Sequence, residues 1–220
     1  MKKFFLFITV FTISLGIIFL QNDQPRISNE KYFLIKSTDL KSQNAKIFEI
    51  HSLNPKIKVD KNTSIGNYVP DDLIELNARY TLRKIFIAKR IEKDLINLLE
   101  AAEKDNLDVK VVSGYRSYEE QKSLFNYYVE NTLRENSRLS RQQAEIEVNK
   151  YSARPGHSEH QLGTAVDILS SETNYQFDSN PNLQYVKWLE NNSQKFNFII
   201  SYHQGNNEYI YEPWHLRWKN

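Results

Sequence analysis

The stretch HSEHQLGTAVD, His157 to Asp167, restricts the fold of this chain more than any other. It places two histidines and an aspartate, side chains that can hold a metal ion, close together in a chain with only five histidines. His160 and Asp167 stand seven residues apart. On a helix that spacing would part their backbones by about 10 Å, at 1.5 Å per residue, too far for easy sharing of one ion. A turn followed by a strand is expected instead. Gly163 lets the chain reverse, and Ala165-Val166-Asp167-Ile168 can then enter a strand that directs Asp167 back toward His160.

One nitrogen and one carboxylate oxygen are too few for a catalytic zinc, which takes three protein ligands and leaves a fourth position open. The chain has no cysteine, which excludes thiolate ligands, a cysteine nucleophile, disulfides and a lipidated cysteine. The segment EPWHLRW, Glu212 to Trp218, offers His215 as the third donor, with Glu212 three residues before it. Pro213 fixes its backbone dihedral, so a short extended or turned segment can set the histidine on the ion and the glutamate over its open side. Metal-assisted hydrolysis needs that arrangement, because a carboxylate beside the ion can take a proton from the attacking water and return it to the departing amine. Ser158 lacks the G-x-S-x-G surroundings of a serine nucleophile. His157 is expected as a loop neighbour or rim residue and His203 on the surface, and His51 has no assigned role. Trp214, Trp218, Tyr209 and Tyr211 read as core and pocket wall rather than as a carbohydrate platform.

The N-terminus carries a different signal. Met1-Lys2-Lys3 precedes an apolar run from Phe4 to Leu20, FFLFITVFTISLGIIFL. Such a run is at the short end of the roughly 17–25 residues that span a bilayer and longer than the roughly 7–15 of a cleaved signal core. No A-x-A-like site follows, so residues 1–22 are expected to be an uncleaved, single-pass signal anchor, with secretion after cleavage as the alternative. The lysines would stay cytoplasmic and the rest would face outward. Residues 23–45 are polar without sustained periodicity and read as a tether, leaving 46–220 as one catalytic domain. A net charge of +2, with basic and acidic residues interspersed, leaves no patch for nucleic acid. A monomer is expected.

Periodicity predicts helices over Ala88–Glu103 and Tyr185–Gln194. Capping boxes at Ser117-Tyr118-Glu119-Glu120 and Ser140-Arg141-Gln142-Gln143 start two more, running to Leu133 and Lys150. Strands are expected at Asp108–Ser113, Phe198–Ile200 and Tyr209–Tyr211, and a turn at Val69–Asp72. Helices first and strands later suggest an α+β domain, a small antiparallel sheet with helices packed on it.

Three spaced motifs carry a resemblance: S-G-Y-R-S at Ser113 to Ser117 with Gln121 after it, S-x-H-x-x-G-x-A-x-D at Ser158 to Asp167, and E-P-W-H at Glu212 to His215. From about Asn67 to Trp218 the chain resembles the VanY-type D-alanyl-D-alanine carboxypeptidases, zinc peptidases of bacterial cell walls whose fold is also seen in the hedgehog signalling domain. The resemblance implies a hedgehog/DD-peptidase-like zinc fold with one zinc per chain on His160, Asp167 and His215. It implies Glu212 as general base and acid, and Arg116 binding or polarising the substrate at the scissile carbonyl, with Gln121 and Ser158 also on the substrate. The implied reaction removes the terminal D-alanine from peptidoglycan stem pentapeptides. L,D-carboxypeptidase action on tetrapeptides is one alternative, and a non-catalytic zinc-containing wall-binding or sensor module is another. The presence of Glu212 argues against the latter.

Overall fold

The computed structural model describes residues 59–206 and 209–219. The expected anchor, the tether, His51 and the first residues of the expected domain lie outside the described residues. No helix among the described residues is long and apolar enough to cross a membrane.

Two short strands, β1 (Leu73–Glu75) and β2 (Phe86–Ala88), pair antiparallel with Leu73 opposite Ala88. Three residues each are too few to show a period in the sequence, and neither strand was anticipated. A 3-10 turn at Lys89–Ile91 then leads into α1 (Glu92–Lys104), which buries Leu95, Leu98, Leu99 and Ala102. The helix expected from Ala88 therefore starts four residues later. Ala88 and Ile91 are as buried as the helical stripe, but they face the core from a strand and a turn.

Next come β3 (Val109–Ser113), α2 (Tyr118–Glu135), α3 (Arg141–Val148), β4 (Ala165–Ser170), α4 (Gln184–Asn192), β5 (Phe198–Ile200) and β6 (His215–Trp218). Both expected capping boxes form: the Ser117 hydroxyl accepts from the Glu120 N–H and the Ser140 hydroxyl from the Gln143 N–H, each glutamate or glutamine side chain returning the bond. The α2–α3 hairpin has its own small core of Phe125, Val129, Ala144 and Val148.

The sheet runs β3-β4-β6-β5, antiparallel throughout. Every residue of the central strand β4 is buried. Residues opposite one another in an antiparallel pair share a face. Val166 pairs with Leu216 in the main core, whereas Asp167 pairs with His215 on the other face. The strand expected at Tyr209–Tyr211 does not form. Its Tyr-Ile-Tyr alternation mimics a strand, but the Ile210 N–H donates to the Lys150 carbonyl and the Glu212 N–H to the Tyr202 carbonyl, so no ladder develops. The C-terminal strand begins instead at His215, the expected third ligand.

Candidate metal centre

A row of three residues crosses the sheet. Asp167 has His215 opposite it on β6 and Ser113 opposite it on β3. A bulge at Val112 decides the second pairing: Val111 faces Ile168, and without the extra residue an apolar side chain, not Ser113, would stand beside Asp167. His160 arrives from the 3-10 turn Glu159–Leu162, which ends at Gly163 with a φ of 68°. Ala88 of β2 donates its N–H to the Gly163 carbonyl at 2.8 Å, and a Cβ at Gly163 would stand 3.1 Å from that nitrogen. The expected turn-then-strand is thus present, the turn itself taking 3-10 form.

His160 Nε2 lies 3.3 Å from Asp167 Oδ2, and His215 Nδ1 lies 3.1 Å from Asp167 Oδ1. All three residues are buried, and their ligand atoms lie within 4.8 Å of one another. A tetrahedral ion with bonds of about 2.0–2.2 Å holds its ligands roughly 3.4 Å apart, so two nitrogens and one carboxylate at these spacings fit zinc. The outward ring nitrogens are also engaged. His160 Nδ1 lies 2.8 Å from the Gly114 carbonyl, which can only accept, so Nδ1 carries the proton and Nε2 keeps its lone pair toward Asp167. His215 Nε2 lies 3.0 Å from Glu159 Oε2. The Tyr202 ring stacks on His215 with centroids 4.6 Å apart and covers it from water.

Charge follows this geometry. Burial pushes the His160 imidazole down, against the pull of Asp167. For His215 burial acts in the same direction, but hydrogen bonds to Asp167 and Glu159 outweigh it and raise the metal-free imidazole to about 10. That ring, held between two carboxylates, is a site where a cation replaces a proton. Burial alone would raise Asp167, yet the two histidines hold it well below the usual carboxylate range.

Glu212 is half-buried, and no described residue hydrogen-bonds its carboxyl. Burial pushes it up to about 7, with His215 and Arg116 pulling the other way and Asp167 adding to the rise. A carboxyl poised there exchanges a proton readily near neutral pH. Arg116 is held from behind: Nη1 donates to Gln121 Oε1 at 2.8 Å and Nη2 to Ser113 Oγ at 2.9 Å. Its N–H donates to the His160 carbonyl, joining the guanidinium loop to the metal-site turn. Gly114 makes this junction possible, since a Cβ there would meet the Phe86 carbonyl oxygen at 2.5 Å.

Residues 84–220 match the VanY family, described as D-alanyl-D-alanine carboxypeptidase. The chain belongs to this family. It is 36% identical over 164 residues to YodJ of Bacillus subtilis, covering 70% of this chain and 55% of that protein. The chain spans about half the length of the curated relatives it matches. Among solved structures it is similar to the LdcB LD-carboxypeptidase, with a TM-score of 0.62 and 33% identity over 73% of this chain and 74% of that one. It is also similar to a vancomycin-resistance D,D-pentapeptidase VanY in complex with Zn(II), with a TM-score of 0.61 and 30% identity over 74% of this chain and 87% of that one. The α+β fold with its small antiparallel sheet is thus the VanY fold.

Set against the VanY motifs, the structure gathers His160, Asp167, His215, Glu212 and Arg116 at one centre. Gln121 sits behind it. Only 1% exposed, its amide accepts from Arg116 and donates to the Ala153 carbonyl at 2.6 Å, so whatever it contributes to substrate binding runs through Arg116. Ser158 is buried at the start of the 3-10 turn without capping it. His157 Nδ1 donates to the Asp60 carbonyl, and His203 lies exposed in a turn, the surface position expected for it. Trp214 packs edge-on against Phe177, while Trp218 donates to Asp94. Sequence reasoning passed over Glu159. Its position between Ser158 and His160 was in view, but its partners His215, Ser201 and Arg217 lie more than forty residues away.

Proposed function

We propose that this chain is a zinc-dependent D-alanyl-D-alanine carboxypeptidase that removes the terminal D-alanine from peptidoglycan stem pentapeptides. One observation carries the reading: a half-buried glutamate, Glu212, raised to about 7, stands beside a His-Asp-His set spaced for one zinc. When bound by His160, Asp167 and His215, zinc supplies Lewis acidity at the scissile carbonyl. Glu212 takes the proton of the attacking water on its carboxylate and delivers it to the leaving D-alanine nitrogen. Arg116 keeps part of its five-donor fork free while Gln121 and Ser113 hold the rest. Those donors suit the developing oxyanion or the terminal carboxylate that a carboxypeptidase must recognise.

The N-terminal apolar run supports a chain held at the outer face of the bacterial cytoplasmic membrane, and secretion after cleavage is the alternative. A tethered monomer acting on wall stems and not on nucleic acid is the matching partner list. A domain held there meets pentapeptide before other enzymes shorten it, which favours D,D-cleavage. The likeness to LdcB supports the second reading, L,D-cleavage of tetrapeptide. Incubating the zinc-loaded chain with stem pentapeptide and, separately, with tetrapeptide decides by mass. Loss of one alanine from pentapeptide alone is expected; loss from tetrapeptide alone transfers the assignment to L,D-carboxypeptidase. A zinc-loaded chain that cleaves neither is a binding or sensor module.

A further inference from the structure

Glu159 is a carboxylate only 3% exposed, and a buried charge is tolerated only where it is paired. Its partners are specific. Oε2 lies 3.0 Å from His215 Nε2 and accepts from the Ser201 hydroxyl at 2.7 Å. Oε1 lies 2.9 Å from Arg217 Nε, an ion pair without hydrogen-bond alignment. The two-residue period of β6 sets His215 and Arg217 on one face, and Glu159 spans both. Its neighbour His160 turns the other way, to Asp167. One 3-10 turn thus supplies a metal donor and a carboxylate that grips a second donor from behind.

The charge balance explains why the acid is tolerated. The Arg217 cation faces Oε1 and the Ser201 hydroxyl donates to Oε2, so both carboxylate oxygens are paired and the group accepts from His215 as well. His215 Nε2 must then carry a proton, which leaves Nδ1 as the nitrogen turned toward Asp167. We infer that Glu159 is a positioning residue for the metal centre: it sets the tautomer and ring orientation of His215 and strengthens that ring as a donor. Arg217 and Ser201 hold Glu159 in place.

This role rests on the zinc reading and is tested on the full chain by zinc affinity, measured in competition with a chelator. Carboxylates behind a ligating histidine typically contribute about 10–100-fold in affinity, so Glu159→Ala should weaken zinc by about that much and Glu159→Gln by the lower end. The visible spectrum of the cobalt-substituted protein should shift in both, because the ring changes its hold on the ion. Ser201→Ala leaves the carboxylate and removes one anchor, and a smaller loss in the same direction is expected there. Leu98→Ala loosens the core without touching the site, and its zinc affinity should stay at the wild-type value. Wild-type affinity and spectrum in Glu159→Gln and Ser201→Ala alike overturn the assignment. A wild-type chain that binds no zinc sinks the zinc reading and this role together, whereas one that binds zinc but cleaves no stem peptide removes the peptidase reading alone.

Discussion

At the residue scale the side chain with the most distinct chemistry is Glu212. The ligands His160, Asp167 and His215 are locked among themselves, and Arg116 is locked by Gln121 and Ser113, but the Glu212 carboxyl has no such partner among the described residues and burial leaves it close to neutral pH. Glu212→Gln keeps size and polarity while removing the basic oxygen. Turnover should fall by at least the ~10²–10⁴-fold that general acid–base catalysis supplies, with zinc content and thermal midpoint unchanged. Steady-state kinetics and metal analysis on one preparation check this, and a glutamine variant of near-normal activity would move the proton transfer to another group. The sequence already set Glu212 apart through its spacing from His215. Gln121 was legible only as part of a motif, because whether an amide meets substrate or a neighbouring arginine depends on which side of α2 faces the cleft.

At the scale of elements the site is a property of the sheet. Asp167 meets Ser113 and His215 because three strands align, and the Val112 bulge puts a hydroxyl instead of an apolar side chain at the position that Arg116 uses. The α2–α3 hairpin is different. Its second helix is started by the Ser140 capping box and packed by its own cluster, with the metal ligands elsewhere. Ser140→Ala should therefore cost about 1 kcal/mol, the usual loss of an N-cap. For a domain of this size that lowers the thermal midpoint by roughly 2–4 °C. Zinc affinity should not change. Calorimetry paired with chelator competition checks both halves, and a matching loss of zinc would tie the hairpin to the centre. The capping boxes were readable because each is a contact between residues three apart. The β1–β2 pair and β6 were not, since hydrogen-bond partners for a strand come from distant chain.

At the scale of the whole molecule the metal ties together elements from the middle and the end of the chain: a turn, the central strand and the last strand. An ion that binds only the folded state stabilises it by mass action, about 4 kcal/mol when free zinc stands a thousandfold above its dissociation constant. Chelation should then lower the thermal midpoint by roughly 8–16 °C, and zinc should restore it. A melting curve indifferent to chelator would mean the centre contributes nothing to the fold. By itself the sequence determined the local matters: where helices are capped, that Gly163 turns the chain before a strand, and which three donors can meet one ion in a chain without cysteine. It also carried the family motifs. Only the tertiary structure decided that Tyr209–Tyr211 stays out of the sheet while His215 enters it, that Gln121 stands behind Arg116, and that Glu159 grips His215. Capping and turn chemistry act between residues a few positions apart. Strand pairing and the second partner of each ring nitrogen depend on which distant segments the folded core brings into contact.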